Sequence, residues 1–146
     1  MTTATILLAS DHAGFDLKAD IANALFERRL DVLDLGPSDC QSVDYPDMAE
    51  RLVQAWLDGR GARGVLICGT GIGIGIAANR HKQIRAATCH DVTTARLARA
   101  HNDANVLCLG ARVIGSQVAL DCVDAFLETP FEGERHQRRV DKLGGD

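Results

Sequence analysis

Five short apolar runs, TILLAS, DVLDLG, GVLICG, IRAATCH and NVLCLG, recur along the chain, with segments of helical period between them. Their hydrophobicity is nearly continuous rather than alternating, as in strands buried on both faces. Such strands require helices on both sides of a mostly parallel sheet. The helical segments are expected at Asp16 to Arg29, Asp47 to Asp58, Gly73 to Arg80, Asp91 to Ala100 and Arg112 to Glu128. Met48, Leu52, Val53, Trp56 and Leu57 form one apolar stripe and read as core. Pro130 separates the last of these segments from the tail FEGERHQRRVDKLGGD, read as a short final helix with Arg135 and Arg139 on one face. A chain of 146 residues fits one domain, residues 1–146, of the α/β class with three layers.

Composition removes several classes of function. Hydrophobic residues at 46% and charged residues at 25% are those of an ordinary globular chain. A net charge of −4 argues against nucleic acid or an anionic membrane as a general partner. No apolar run approaches the roughly 18 residues that span a bilayer, and MTTATILLASDHAG lacks the basic start and cleavage site of a secretory leader. A cytoplasmic location is therefore expected. Cys40, Cys68, Cys89, Cys108 and Cys122 make an odd set without a CxxC pair, which fits reduced thiols rather than a disulfide frame or a structural zinc knot.

In sheets of this kind, ligands bind beyond the carboxyl ends of the strands. Ser10, Asp11 and His12 follow the first run, Cys68 and a glycine series the third, His90 and Asp91 the fourth, and Gly110 to Arg112 the fifth. Gly69, Gly71, Gly73 and Gly75 alternate with Thr70, Ile72 and Ile74, a pattern suited to amides converging on an anion, or simply to a tight turn. Gly73-x-Gly75-x-x-Ala78, with Asp91 beyond it, also satisfies a loose dinucleotide fingerprint, but in the third unit rather than the first; no Gly-Lys-Ser/Thr makes it a Walker loop. Cys68 precedes the glycines, where amides and a helix start favour a reactive sulfur able to serve as base or nucleophile. Cys89, Cys108 and Cys122 sit inside strand or helix patterns and read as structural.

Asp11 and His12 suit ligand binding, or equally a helix cap. His101, beside Asn102 and Asp103, offers a titrating imidazole, although it lies before the fifth run, toward the opposite edge. Arg112, Arg135, His136, Arg138 and Arg139 concentrate groups able to hold phosphate; Arg138, like His81 and Lys82, reads as surface. A thiol, an amide nest, a histidine and arginines together suit proton transfer beside the carbonyl of a small phosphorylated substrate, with an oxyanion to be stabilised. Two other classes compete: a nucleotide-binding module, and a metalloenzyme using Cys68, His12, His101 and Asp11, whose ligand types are suitable but whose spacing matches no known pattern.

The segments SDHAGF (10–15), DYP (44–46), ICGTGIGIGIAANR (67–80), RAHNDANVLCLGARVIG (99–115) and FEGERHQRRV (131–140) resemble, in order and spacing over essentially the full length, the type B ribose-5-phosphate isomerases of the RpiB/LacAB sugar-phosphate isomerase family. The resemblance implies a Rossmann-like fold with a five-stranded parallel sheet. It also implies a homodimer, or a dimer of dimers, with a shared site, and isomerisation of ribose 5-phosphate and ribulose 5-phosphate without metal or cofactor, a step of the pentose phosphate pathway. By that likeness Cys68 is the base, Thr70 with the amides of Gly69, Gly71 and Gly73 cradles the enediolate, and His101 with Asp11 opens the sugar ring. Asn102 touches a sugar oxygen, while His12, Arg112, Arg135 and Arg139, adjoined by His136, clamp the phosphate. A glutamate replaces the cysteine in one branch of the family; Ile74 stands at its place here, so the likeness is to the thiol branch. Relatives acting on allose 6-phosphate, galactose 6-phosphate or erythrose 4-phosphate leave the sugar open.

Overall fold

The computed structural model describes residues 4–144; the two ends of the chain, 1–3 and 145–146, lie outside the described residues. Strands β1 (Ile6–Ser10), β2 (Val32–Asp34), β3 (Arg63–Cys68), β4 (Ala86–Thr88) and β5 (Val106–Gly110) form one sheet in the order β2-β1-β3-β5-β4. Every pairing is parallel. Between and after them run helices α1 (Phe15–Glu27), α2 (Tyr45–Leu57), α3 (Ile72–Ala78), α4 (Val92–Asn102), α5 (Ser116–Glu128) and α6 (Arg135–Leu143), with a 3-10 turn at His12–Gly14.

Strand periodicity separates the core into two layers. Ile6 and Leu8 of β1, with Val65, Ile67, Leu107 and Leu109, pack under α1, α4 and α5. Their neighbours Leu7 and Ala9, with Leu66, Cys68, Val106 and Cys108, pack under α2 and α3. Successive side chains point to opposite faces, so unbroken apolar runs supply both layers. The result is the expected three-layer, Rossmann-like sandwich. The edge strands β2 and β4 have only three residues each and are partly exposed, consistent with the need to keep sheet edges short.

Phe126, fully buried on α5, is among the largest side chains of the first layer, and the Arg99 guanidinium lies 5.9 Å from its ring centre. Phe126→Ala should lower unfolding free energy by about 3–5 kcal/mol, measured as a drop in the urea midpoint. A loss under 1 kcal/mol would mean that the site is not packed as described.

Most helix boundaries fall within two residues of expectation. The fifth helix is the exception: Arg112 to Gly115 form a turn, and α5 starts at Ser116 after Gly115. Val113 and Ile114 donate their amides to the Gly110 carbonyl, which closes that turn and leaves Arg112 outside the helix.

Candidate active site

The strand order reverses between β1, which leads to β2 on one side, and β3 on the other, so a crevice opens at the carboxyl ends of these two strands. Pairing of Ser10 with Ile67, continued by the Asp11 amide on the Ile67 carbonyl at 3.0 Å, sets the loop after β1 beside the loop after β3. From the other side, the amides of Ala111 and Arg112 bond the carbonyls of Cys68 and Gly69 at 2.9 and 3.0 Å. Loops after β1, β3 and β5 thus converge.

Cys68 ends β3 and is buried, 4% exposed. The Gly71 amide donates to its sulfur at 3.1 Å. That direction depends on a left-handed backbone, since Gly71 has φ 79° and a Cβ there would lie 2.9 Å from the Leu109 carbonyl carbon. Only glycine fits on both counts. Thr70 is exposed, and its Oγ1 accepts from the Ile72 amide at 3.2 Å. Gly71 therefore spends its amide on the sulfur, while the first-turn amides of α3, Gly73 among them, have no acceptor within the helix. Arg112 leans over the loop, with Nη1 3.5 Å from where a Gly69 Cβ would stand.

Asp11 is 7% exposed, and its Oδ1 accepts from the amides of Ala13 and Gly14 at 3.0 and 3.2 Å. It caps the turn that begins α1, one of the two roles expected. His12 Nδ1 accepts from the Val43 amide at 3.2 Å. In the neutral ring this places the proton on Nε2, leaving that nitrogen as the donor.

The remaining candidates lie elsewhere in the chain. His101 and Asn102 close α4, at the sheet edge where β5 begins, whereas Cys68 pairs with Gly110 at the far end of β5. Four residues of strand separate those levels, roughly 13 Å. His101, Asn102, His136 and Arg139, with Val140 and Leu143, line a hollow of about 300 Å³ between α4 and α6. Arg135 and Arg139 are exposed on α6, while His136 is buried, 6% exposed. One chain therefore carries two separate groups of candidate residues.

The expected neighbours of His101 need correction. Asp103, which adjoins it in sequence, is bound instead to Arg99 Nη1 at 2.8 Å and Arg85 Nη2 at 3.3 Å. His101 stacks on His136, ring centres 4.3 Å apart and planes at 13°, and its Nε2 lies 3.9 Å from Glu132 Oε1. Burial, then the Arg135 guanidinium and the neighbouring His101 ring, push the His136 imidazole below its usual range, with Glu132 opposing.

The metal set Cys68, His12, His101 and Asp11 is not assembled within one chain, because His101 stands at the other edge. The dinucleotide reading fails too: Gly73 and Gly75 lie inside α3, and Asp91 caps α4 by accepting from the Thr94 amide at 2.7 Å. Burial raises the thiols of Cys89, Cys108 and Cys122, the last to about 11, as expected of structural cysteines.

Two residues near these groups escaped the sequence reading. Tyr45 stands so close to the glycine loop that a Cβ on Gly73 would lie 2.6 Å from its Cζ. Its one available signal was its place in the segment DYP. Glu132, four residues before His136, joins the α4 group because its amide bonds the Ala100 carbonyl at 3.0 Å.

Among the described residues, no helix is long and apolar enough to cross a membrane. The sequence profile of the Ribose/Galactose Isomerase family matches residues 6–143. A ribose 5-phosphate isomerase structure from Thermotoga maritima is similar with a TM-score of 0.95 and 48% identity, covering 98% of this chain and 99% of that one. Ribose-5-phosphate isomerase B of Escherichia coli is 45% identical over 94% of this chain and 93% of its own. D-erythrulose-4-phosphate isomerase of Pectobacterium atrosepticum is 43% identical over 96% and 93%. With the whole length matched and the glycine loop placed at the crevice, the chain belongs to the Ribose/Galactose Isomerase family and is a sugar-phosphate isomerase.

Proposed function

We propose that this chain interconverts ribose 5-phosphate and ribulose 5-phosphate in the pentose phosphate pathway of the cytoplasm, as a homodimer whose two sites are each built from both subunits. His101 and Asp11 open the furanose. Cys68, as thiolate, takes the proton from C2 and returns it to C1, while Thr70 and the amides of Gly69 and Gly73 hold the negative oxygen of the enediolate; the Gly71 amide, expected in that cradle, stays on the sulfur. Arg112, Arg135, Arg139 and His12 bind the phosphate, His136 adjoins them, and Asn102 meets a sugar hydroxyl. No metal or cofactor takes part.

The observation that carries this reading is the Gly71 amide aimed at the Cys68 sulfur at 3.1 Å, which orients the sulfur at the crevice where three loops meet. The second support is the separation of His101 and the α6 arginines from that sulfur. A single sugar phosphate reaches both groups only if a second subunit brings its α4–α6 edge to the first subunit's crevice, an isologous arrangement natural to a twofold dimer. The exposed side chains of Ile72 and Ile76 on α3, and of Val92, offer apolar surface for that contact.

Mixing tests the sharing. Cys68→Ala and His101→Asn chains, each inactive alone, should regain up to about a quarter of wild-type turnover after subunit exchange, since half of random dimers are mixed and one site in each is intact. No regain despite demonstrated exchange would place the whole site within one chain. The sugar is tested by kcat/KM for ribose 5-phosphate against allose 6-phosphate, galactose 6-phosphate and erythrose 4-phosphate. A higher value for any of the last three would replace the proposed substrate.

A further inference from the structure

His101, Glu132 and His136 present three ligand atoms, all within 4.8 Å of one another. Glu132 Oε1 lies 3.6 Å from His136 Nε2 and 3.9 Å from His101 Nε2, beyond a good hydrogen bond in both cases. His136 Nε2 is buried and bonds to nothing among the described residues, in a residue only 6% exposed. A desolvated ring nitrogen without a partner is costly, and here it faces a carboxylate and a second imidazole. The sugar chemistry above uses His101 and His136 but gives Glu132 no part.

We propose that His101, Glu132 and His136 form a binding site for a divalent transition metal of the zinc class, and that occupancy of this site inhibits the isomerase. Two imidazoles and one carboxylate suit Zn²⁺, whereas Mg²⁺ and Ca²⁺ prefer sites made of oxygen. Ligand atoms about 2.0–2.2 Å from a tetrahedral ion lie roughly 3.3–3.6 Å apart, so the cluster is nearly closed. The remaining movement falls on the partly exposed His101, which rotates out of the ring stack, and on the exposed Glu132, while His136, held on α6, stays in place. Backbone ties fix the spacing: the Glu132 amide is bonded to Ala100 and precedes His136 by four residues. Three protein ligands leave the fourth coordination position to water. The metal occupies the Nε2 lone pair of His101 and so removes that ring from proton transfer.

Metal binding does not depend on the proposed sugar reaction; only the inhibitory clause rests on it. The experiment separates the two. Chelator-treated protein is titrated with Zn²⁺ by calorimetry and with Co²⁺ by its visible ligand-field bands, for wild type, Glu132→Gln and Cys68→Ser. The expected result is one ion per chain with tetrahedral-type Co²⁺ bands. Affinity should fall about 10- to 100-fold or more in Glu132→Gln and remain in Cys68→Ser. Absence of binding overturns the site, as does binding unchanged in Glu132→Gln or lost only in Cys68→Ser, where the thiol would be the ligand. Zn²⁺ should also suppress turnover by the wild-type chain, with recovery on chelation, and should suppress that of Glu132→Gln only at proportionally higher concentration. Binding without suppression would overturn the inhibitory clause and leave the metal site standing.

Discussion

Cys68→Ala is expected to cut kcat/KM for the sugar phosphate by about 10²–10⁴-fold, the range a positioned general base contributes. Phosphate binding should stay nearly unchanged, because the substitution leaves Arg112, Arg135, Arg139 and His12 in place and removes only the sulfur. The fold should survive as well: the substitution removes one buried atom from the α2–α3 layer, and the backbone bonds from Ala111 and Arg112 continue to clamp the loop. Steady-state kinetics with a thermal melt and a phosphate titration separate the outcomes. Retained turnover in a folded variant eliminates Cys68 as the base. A collapse of both turnover and melting temperature would show a structural role instead, and Cys68→Ser, closer in size, then discriminates.

His101→Asn should divide substrates by whether they close into a ring. Ribose 5-phosphate is held mainly as a furanose and needs a proton donor and acceptor to open it, so kcat/KM should fall about 10²–10³-fold. Erythrose 4-phosphate has no free hydroxyl at C4 with which to close that ring, so its kcat/KM should change by less than about threefold. The ratio of the two is a readout that general misfolding leaves unmoved. Equal losses on both sugars would remove His101 from ring opening and give it a role in binding or in the enediolate step.

Much of the architecture was readable because the physics that selects it is local. Apolar runs such as GVLICG are too uniformly hydrophobic for any place but the middle of a covered sheet, and the segments between them have one apolar stripe each. The glycine loop and Cys68 were legible for the same reason, as their spacing is short-range geometry confined to one strand-to-helix connection. Strand order was less accessible. That β5 lies between β3 and β4 depends on which edges pair in space, and β4, only three residues long, carries little signal of its own.

The partners of His101 mark the limit more sharply. Asn102 and Asp103 adjoin it in sequence, yet Asp103 takes a left-handed backbone with φ 47° and turns its carboxylate to Arg85 and Arg99. Glu132 and His136, about thirty residues away, supply the imidazole's surroundings because α6 folds back on the end of α4.

The order of residues alone determined that this chain forms a covered parallel sheet and places a sulfur before a run of glycines, since both follow from periodicity and from the steric freedom of individual residues. Only the folded molecule decided that α6 folds back on the end of α4, and that His101 there meets Glu132 and His136. Those relations depend on distances between segments remote along the chain, which packing sets and local preference does not encode.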